Sequence, residues 1–265
     1  MSFECSQITR ISHGVFAIAA MFLAGLCWAG PGGAKEHGGT GVRSAGQTRP
    51  AGSIRGKIVF LGKAPAPVKL PMASDPKCRE QHRSGFQFQP VVLGGHAELA
   101  DVFVYVKRGL EGRTFEPPKE VRVILDQKGC WYSPRVTGAM VGQMVAILNS
   151  DATIHNVNAL PEFNASMPAG VKRIEKVFTR PEVMKRIKCN VHPWMTAYVG
   201  ILEHSFYGVT DKNGAYAIKG LASGKYLIEA WHERLGVVSK EVVVGTGAAV
   251  VDFKFSATAS IGTKG

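Results

Sequence analysis

The sequence is short of acidic side chains and of helical periodicity. Its 32 Lys and Arg stand against 20 Asp and Glu, a formal net charge of +12, so the chain is basic. Nowhere do aromatic residues interleave with clustered Arg or Lys, and dispersed basic groups of this kind read as a solvated surface. No nucleic-acid partner is expected. No window of eleven or more residues carries a convincing apolar stripe of helical period, PEVMKRIK (181–188) being the one ambiguous stretch, and this excludes a helical bundle. Cys-x2-Cys pairs, His-x-His pairs and methionine-rich tracts are all missing, which argues against multi-site metal storage and against clustered metal centres.

The chain has one long apolar run. Arg10 precedes an uncharged, mostly apolar stretch from Val15 to Ala29, followed by GPGGA ending at Ala34, and residues 1–34 therefore read as an export signal. The run is short of the roughly 20 residues of a membrane span. An uncleaved anchor is the alternative, and a membrane association is expected only in that case. A lipid attachment at Cys27 is disfavoured by the bulky Leu26 before it. Residues 35–52 are rich in Gly and poor in large apolar side chains, the composition of a flexible linker. The expected location is periplasmic or secreted.

From Ser53 onward, short runs of Val, Ile, Phe and Tyr alternate with Gly, Pro, Asn and Asp. Examples are IRGKIVF (54–60), DVFVYVK (101–107), VRVIL (121–125), QMVAILN (143–149), YVGIL (198–202), KYLIEAWH (225–232) and VVDFKF (250–255). The fold class expected is all-β. Asp211-Lys212-Asn213-Gly214 supplies the Asn-Gly pair of a tight hairpin, in which both central residues take positive φ.

Residues 189–195 read CNVHPWM, a thiolate, an imidazole and a thioether within one loop. These donors suit a transition-metal site of one Cys, two His and a distant Met, and the second imidazole must come from elsewhere. The best donor is His155 in NSDATIHNV (149–157), just beyond the run 143–149. The ligand set points to copper, because tetrahedral zinc sites prefer a fourth thiolate, imidazole, carboxylate or water to a thioether. Each of the four residues alone would pass for packing, but Pro193 and Trp194 leave little room for a buried strand between His192 and Met195.

At these residues the chain resembles the cupredoxins, the plastocyanin, pseudoazurin and amicyanin family, over 119–204. Cys-x2-His-x2-Met with Pro after the second His is similar to the short ligand loop of amicyanin, and GQMVAILNSD to the family's entry to its site. The resemblance implies one type 1 (blue) copper held by His155, Cys189, His192 and Met195. It implies that Asn156 ties the two ligand loops together and shields the sulfur with a backbone N–H. Pro193 and Trp194 would lie around the ligands, and with Met167 they would make an apolar rim at the edge of His192. The fold implied is a Greek-key sandwich.

The run 208–236 is similar to carboxypeptidase regulatory-like, transthyretin-like (prealbumin-like) sandwiches, with opening strands in 53–65 and 99–107. The organisation expected is thus a second sandwich in two parts, 53–118 and 205–256, around a cupredoxin at 119–204, with a tail at 257–265. Composite chains of this type are labelled methylamine-utilisation-like. Of the three cysteines beyond the signal, Cys78 and Cys130 are expected to form a disulfide, and Cys189 to serve the metal. Single-electron transfer by a carrier that is not an enzyme is the function expected. Its partner would be a redox protein, such as a cytochrome or a dehydrogenase, with an acidic surface to match the positive charge. Copper storage or delivery, and a surface interaction module with a structural metal, are the alternatives.

Overall fold

The computed structural model describes residues 51–119 and 122–257. The expected signal, Cys27, the linker up to residue 50 and the tail from residue 258 lie outside the described residues. The described chain is all-β: strands account for almost every regular element, with one α-helix, Pro76–Gln81, and one 3-10 turn, Met72–Ser74.

Residues between 123 and 202 build two sheets. One runs in the order Phe163–Met167, His155–Ala159, Glu182–Lys188, Thr196–Leu202, Val136–Met140, and the other in the order Arg173–Val177, Met144–Asn149, Val123–Gln127, Tyr132–Ser133. Leu125, Tyr132, Ile147, Val157, Ile187 and Val199 fill the space between. Both sheets are mixed, because Val123–Gln127 runs parallel to Met144–Asn149 and Thr196–Leu202 parallel to Val136–Met140. The ambiguous stretch 181–188 is a strand, and its helical look has a cause. A bulge between Glu182 and Lys185, with Met184 at φ +59°, buries Met184 and Lys185 in succession and then Ile187, which breaks the period of two.

Of the other described strands, Val68–Leu70 and Phe86–Phe88 pair by themselves, and those on either side of residues 123–202 form two further sheets. Ala215–Leu221, Gly52–Leu61 and Ala248–Val250 form one sheet, with Phe253–Ser256 continuing beside Gly52–Leu61. Tyr207–Val209, Phe103–Arg108, Gly224–His232 and Gly236–Val244 form the other. Ile54, Ile58, Phe60, Val104, Ile228 and Phe253 lie in their core. Gly52, assigned to the linker from its composition, already pairs with Leu221.

The turn at 211–214 differs from the hairpin expected. Gly214 has φ +67°, but Asn213 does not share the positive region, and Asp211 organises the turn by accepting from the N–H groups of Asn213 and Ala215 at 2.8 and 3.0 Å. The flanking strands Tyr207–Val209 and Ala215–Leu221 join different sheets. An Asx-type side-chain bond thus replaces the second left-handed residue.

The two sandwiches pack through a third apolar cluster around Phe103, Tyr105, Val136, Met184 and Leu202. Phe103 and Tyr207 rest on Gly200 and Gly138, where any Cβ would overlap their rings, and the Tyr207 hydroxyl donates to the Gly138 carbonyl at 2.7 Å. Arg135 closes the joint. Its guanidinium meets both oxygens of Glu233 at 2.5 and 2.7 Å, donates to the Thr196 carbonyl at 2.8 Å, and lies over the Phe88 and Trp131 rings.

His232 is buried beside this joint, and its Nδ1 accepts from the Arg234 N–H at 3.2 Å. Burial, aided by Arg135 and Arg234 and opposed by Glu233, pushes its pKa down to about 4. The unfolded chain therefore binds a proton that the folded one refuses between about pH 6.5 and 4. Stability is full above that window and falls through it by about 3 kcal/mol as the pH drops. Urea midpoints across pH 4–7 are expected to fall less steeply for His232→Gln than for the unaltered chain, and equal slopes would refute the assignment.

Candidate metal centre

The strand Glu182–Lys188 delivers Cys189 at one end of the sandwich, and the Met195 N–H turns back onto the His192 carbonyl at 2.9 Å. The neighbouring strand His155–Ala159 begins with His155, and Lys188 pairs with Asn158, so the two ligand loops are adjacent. The structure brings His155, Cys189 and His192 together, with one donor atom of each within 4.8 Å of the others. The two Nδ1 atoms are 3.0 Å apart, and the Cys189 Sγ is 3.9 Å from His192 Nδ1. Met195 is fully buried in the same core cluster as Cys189.

The Cys189 sulfur accepts two backbone hydrogen bonds. The backbone N–H groups of Asn156 and His192 point to it at 3.3 and 3.4 Å. Burial alone would resist ionisation of Cys189, but the His155 and His192 imidazoles and these two N–H groups outweigh it and lower its pKa. His155 shifts the other way. Burial opposes its charging, and Asp151 and Cys189 raise its pKa.

Asn156 lies between the two ligand loops. Its Oδ1 accepts from the Asn190 N–H at 3.3 Å, tying one ligand loop to the other. Asn158 and Asn164 extend the link, since Asn158 donates to Asn190 at 2.8 Å and Asn156 to Asn164 at 2.9 Å. Trp194 is half-buried, 5.2 Å from the His192 ring, and its indole N–H reaches the Cys130 carbonyl at 3.1 Å. Pro193 is exposed. Met167 is not part of a surface rim: it is fully buried, and its sulfur accepts from Gln127 Nε2 at 3.1 Å. It sits in the core because it is the last residue of Phe163–Met167, paired with His155.

Cys78 and Cys130 are bridged, with Cα atoms 5.6 Å apart. The bridge frames two carboxylates that the sequence did not single out. Asp151 Oδ2 is 2.9 Å from His155 Nε2, and Asp75 Oδ2 is 3.1 Å from His192 Nε2. Both outer nitrogens thus have acceptors, which would leave the two Nδ1 atoms, 3.0 Å apart, to a metal, the arrangement that a metal-binding imidazole needs. The donor set fits copper: one thiolate, two imidazoles presented by the same nitrogen, and a thioether in the same buried cluster. Among the described histidines outside the centre, His82 Nε2 lies 2.7 Å from the Gly129 carbonyl oxygen and His204 Nε2 3.0 Å from that of Val106.

Solved structures are similar to part of the chain. An oxidised proline-to-glycine variant of amicyanin is 17% identical, covering 37% of this chain and 97% of its own, with a TM-score of 0.28. A purple cupredoxin from Nitrosopumilus maritimus is 23% identical over 31% of this chain and 99% of its own, with a TM-score of 0.27. These neighbours are cupredoxins. A copper-containing nitrite reductase from Thermus scotoductus SA-01 is 15% identical over 56% of this chain, with a TM-score of 0.28, and the match spans 28% of that enzyme. No family model matches the chain, and no curated protein is significantly similar to it.

Proposed function

We propose that the chain is an exported one-electron carrier with a single type 1 copper held by His155, Cys189, His192 and Met195. The observation that carries this reading is the convergence of the His155, Cys189 and His192 donor atoms within 4.8 Å. Copper bound there would supply a Cu(I)/Cu(II) couple. The residues around it do the rest. Two backbone N–H groups hold the thiolate, two carboxylates orient the imidazoles, and the disulfide and the Asn156 bonds keep the loops from moving. A site fixed in this way needs little rearrangement between oxidation states.

Burial favours a carrier over a catalyst. His155, Cys189, His192 and Met195 are at most 3% exposed, so a substrate has no open approach to the metal, whereas catalytic metals keep a position free. The net charge of +12 suits a redox partner, such as a cytochrome or a dehydrogenase, that docks through carboxylates. A reductive titration of the copper-loaded protein is expected to take up one electron per chain and to reverse fully on reoxidation. Copper released at each reduction would support delivery or storage instead and refute the carrier.

A further inference from the structure

His192 lies in a loop whose next residue, Pro193, is exposed, yet His192 itself is 1% exposed. What covers it comes from far away in the chain. The 3-10 turn Met72–Ser74 and the helix Pro76–Gln81 cross this end of the sandwich, bringing Asp75 Oδ2 to 3.1 Å and Cys78 Sγ to 3.7 Å from His192 Nε2. We propose that Asp75, carried on this disulfide-pinned cap, is a positioning residue of the metal centre that fixes His192 and closes its outer edge to partners. The inference rests on the reading of His192 as a metal ligand.

The carboxylate is held through both of its oxygens. Its Oδ1 accepts from the Lys77 and Cys78 N–H groups at 2.7 and 3.1 Å, as the cap of the helix, and its Oδ2 accepts from the Thr153 hydroxyl at 3.1 Å. Thr153 is two residues before His155, so Asp75 binds to both ligand loops at once. The bridge to Cys130 stops the helix from lifting, and Cys130 is itself tied down by its N–H to Asp151 at 2.8 Å and by Trp194 on its carbonyl. An acceptor so placed keeps the His192 proton on Nε2 and the Nδ1 lone pair toward Cys189. Its negative charge strengthens the imidazole as a donor and favours Cu(II) over Cu(I).

Asp75→Asn separates this role from helix capping, since Asn caps a helix about as well as Asp but its amide nitrogen cannot accept the His192 N–H while its oxygen caps. Affinities for Cu(II) and Cu(I) are measured by chelator competition on the full chain, with the thermal midpoint alongside. The proposal predicts about a 10- to 100-fold loss of Cu(II) affinity, a smaller loss for Cu(I), and a midpoint close to that of the unaltered chain. Asp75→Ser, which also keeps a capping oxygen and removes the charge, should give the same Cu(II) loss. Unchanged affinities in both variants, or equal losses for the two oxidation states with a lowered midpoint, would overturn the proposal. An unaltered chain that binds no Cu(II) would overturn the reading of the centre, and the inference with it.

Discussion

Replacing Cys78 and Cys130 together with serine is expected to cost about 4 kcal/mol of stability, the chain-entropy value for a loop of 52 positions. The bridge joins short elements that otherwise meet through polar contacts. The helix Pro76–Gln81 has six residues and buries only Cys78, so without the bond it has almost no apolar anchor of its own. The loop at Cys130 carries a residue at φ +52°, and its N–H groups at 129 and 130 are spent on Asp151. Both carboxylates facing the imidazoles depend on this frame. Urea unfolding of the metal-free protein gives the comparison, and a difference below about 1 kcal/mol would mean that the cap is held by its contacts without the bond.

Cys189→Ser is expected to have the larger effect on the metal. Loss of an outer partner typically costs a metal site about 10- to 100-fold in affinity, and removing the one thiolate should exceed that, because a neutral hydroxyl offers neither the charge nor the softness that copper selects. The same substitution should barely touch the fold. Serine still accepts from the Asn156 and His192 N–H groups, and the site lies at the end of the sandwich beyond the last residue of Glu182–Lys188. Chelator competition checks the first point and a thermal scan of the metal-free protein the second. An affinity unchanged by the substitution would remove Cys189 from the site.

Much of the candidate centre is legible in the sequence because it is local. Cys189, His192 and Met195 sit within one loop, and that spacing survives any uncertainty about strands. His155 and Asn156 are found through the turn that ends a recognisable strand. Asp75 and Asp151 escape for physical reasons. Asp75 is 117 positions from His192, in a helix too short to show a period, and nothing local marks its carboxylate as aimed at an imidazole. Asp151 lies in a turn where an aspartate is ordinary, and only the bridge at Cys130 reveals its partner. Met167 misleads because a methionine near a metal loop looks the same on a rim as in a core, and strand pairing with His155 decides between them. The stretch 181–188 misleads through its bulge, which places Met184 and Ile187 at helical spacing on a strand.

The most direct test of the account is the visible and EPR spectrum of the Cu(II)-loaded chain, recorded beside Cys189→Ser. A type 1 copper at His155, Cys189, His192 and Met195 gives an intense thiolate-to-copper absorption and a narrow copper hyperfine splitting, both absent from the variant. A loaded protein without colour, or one whose spectrum the substitution leaves unchanged, would contradict it.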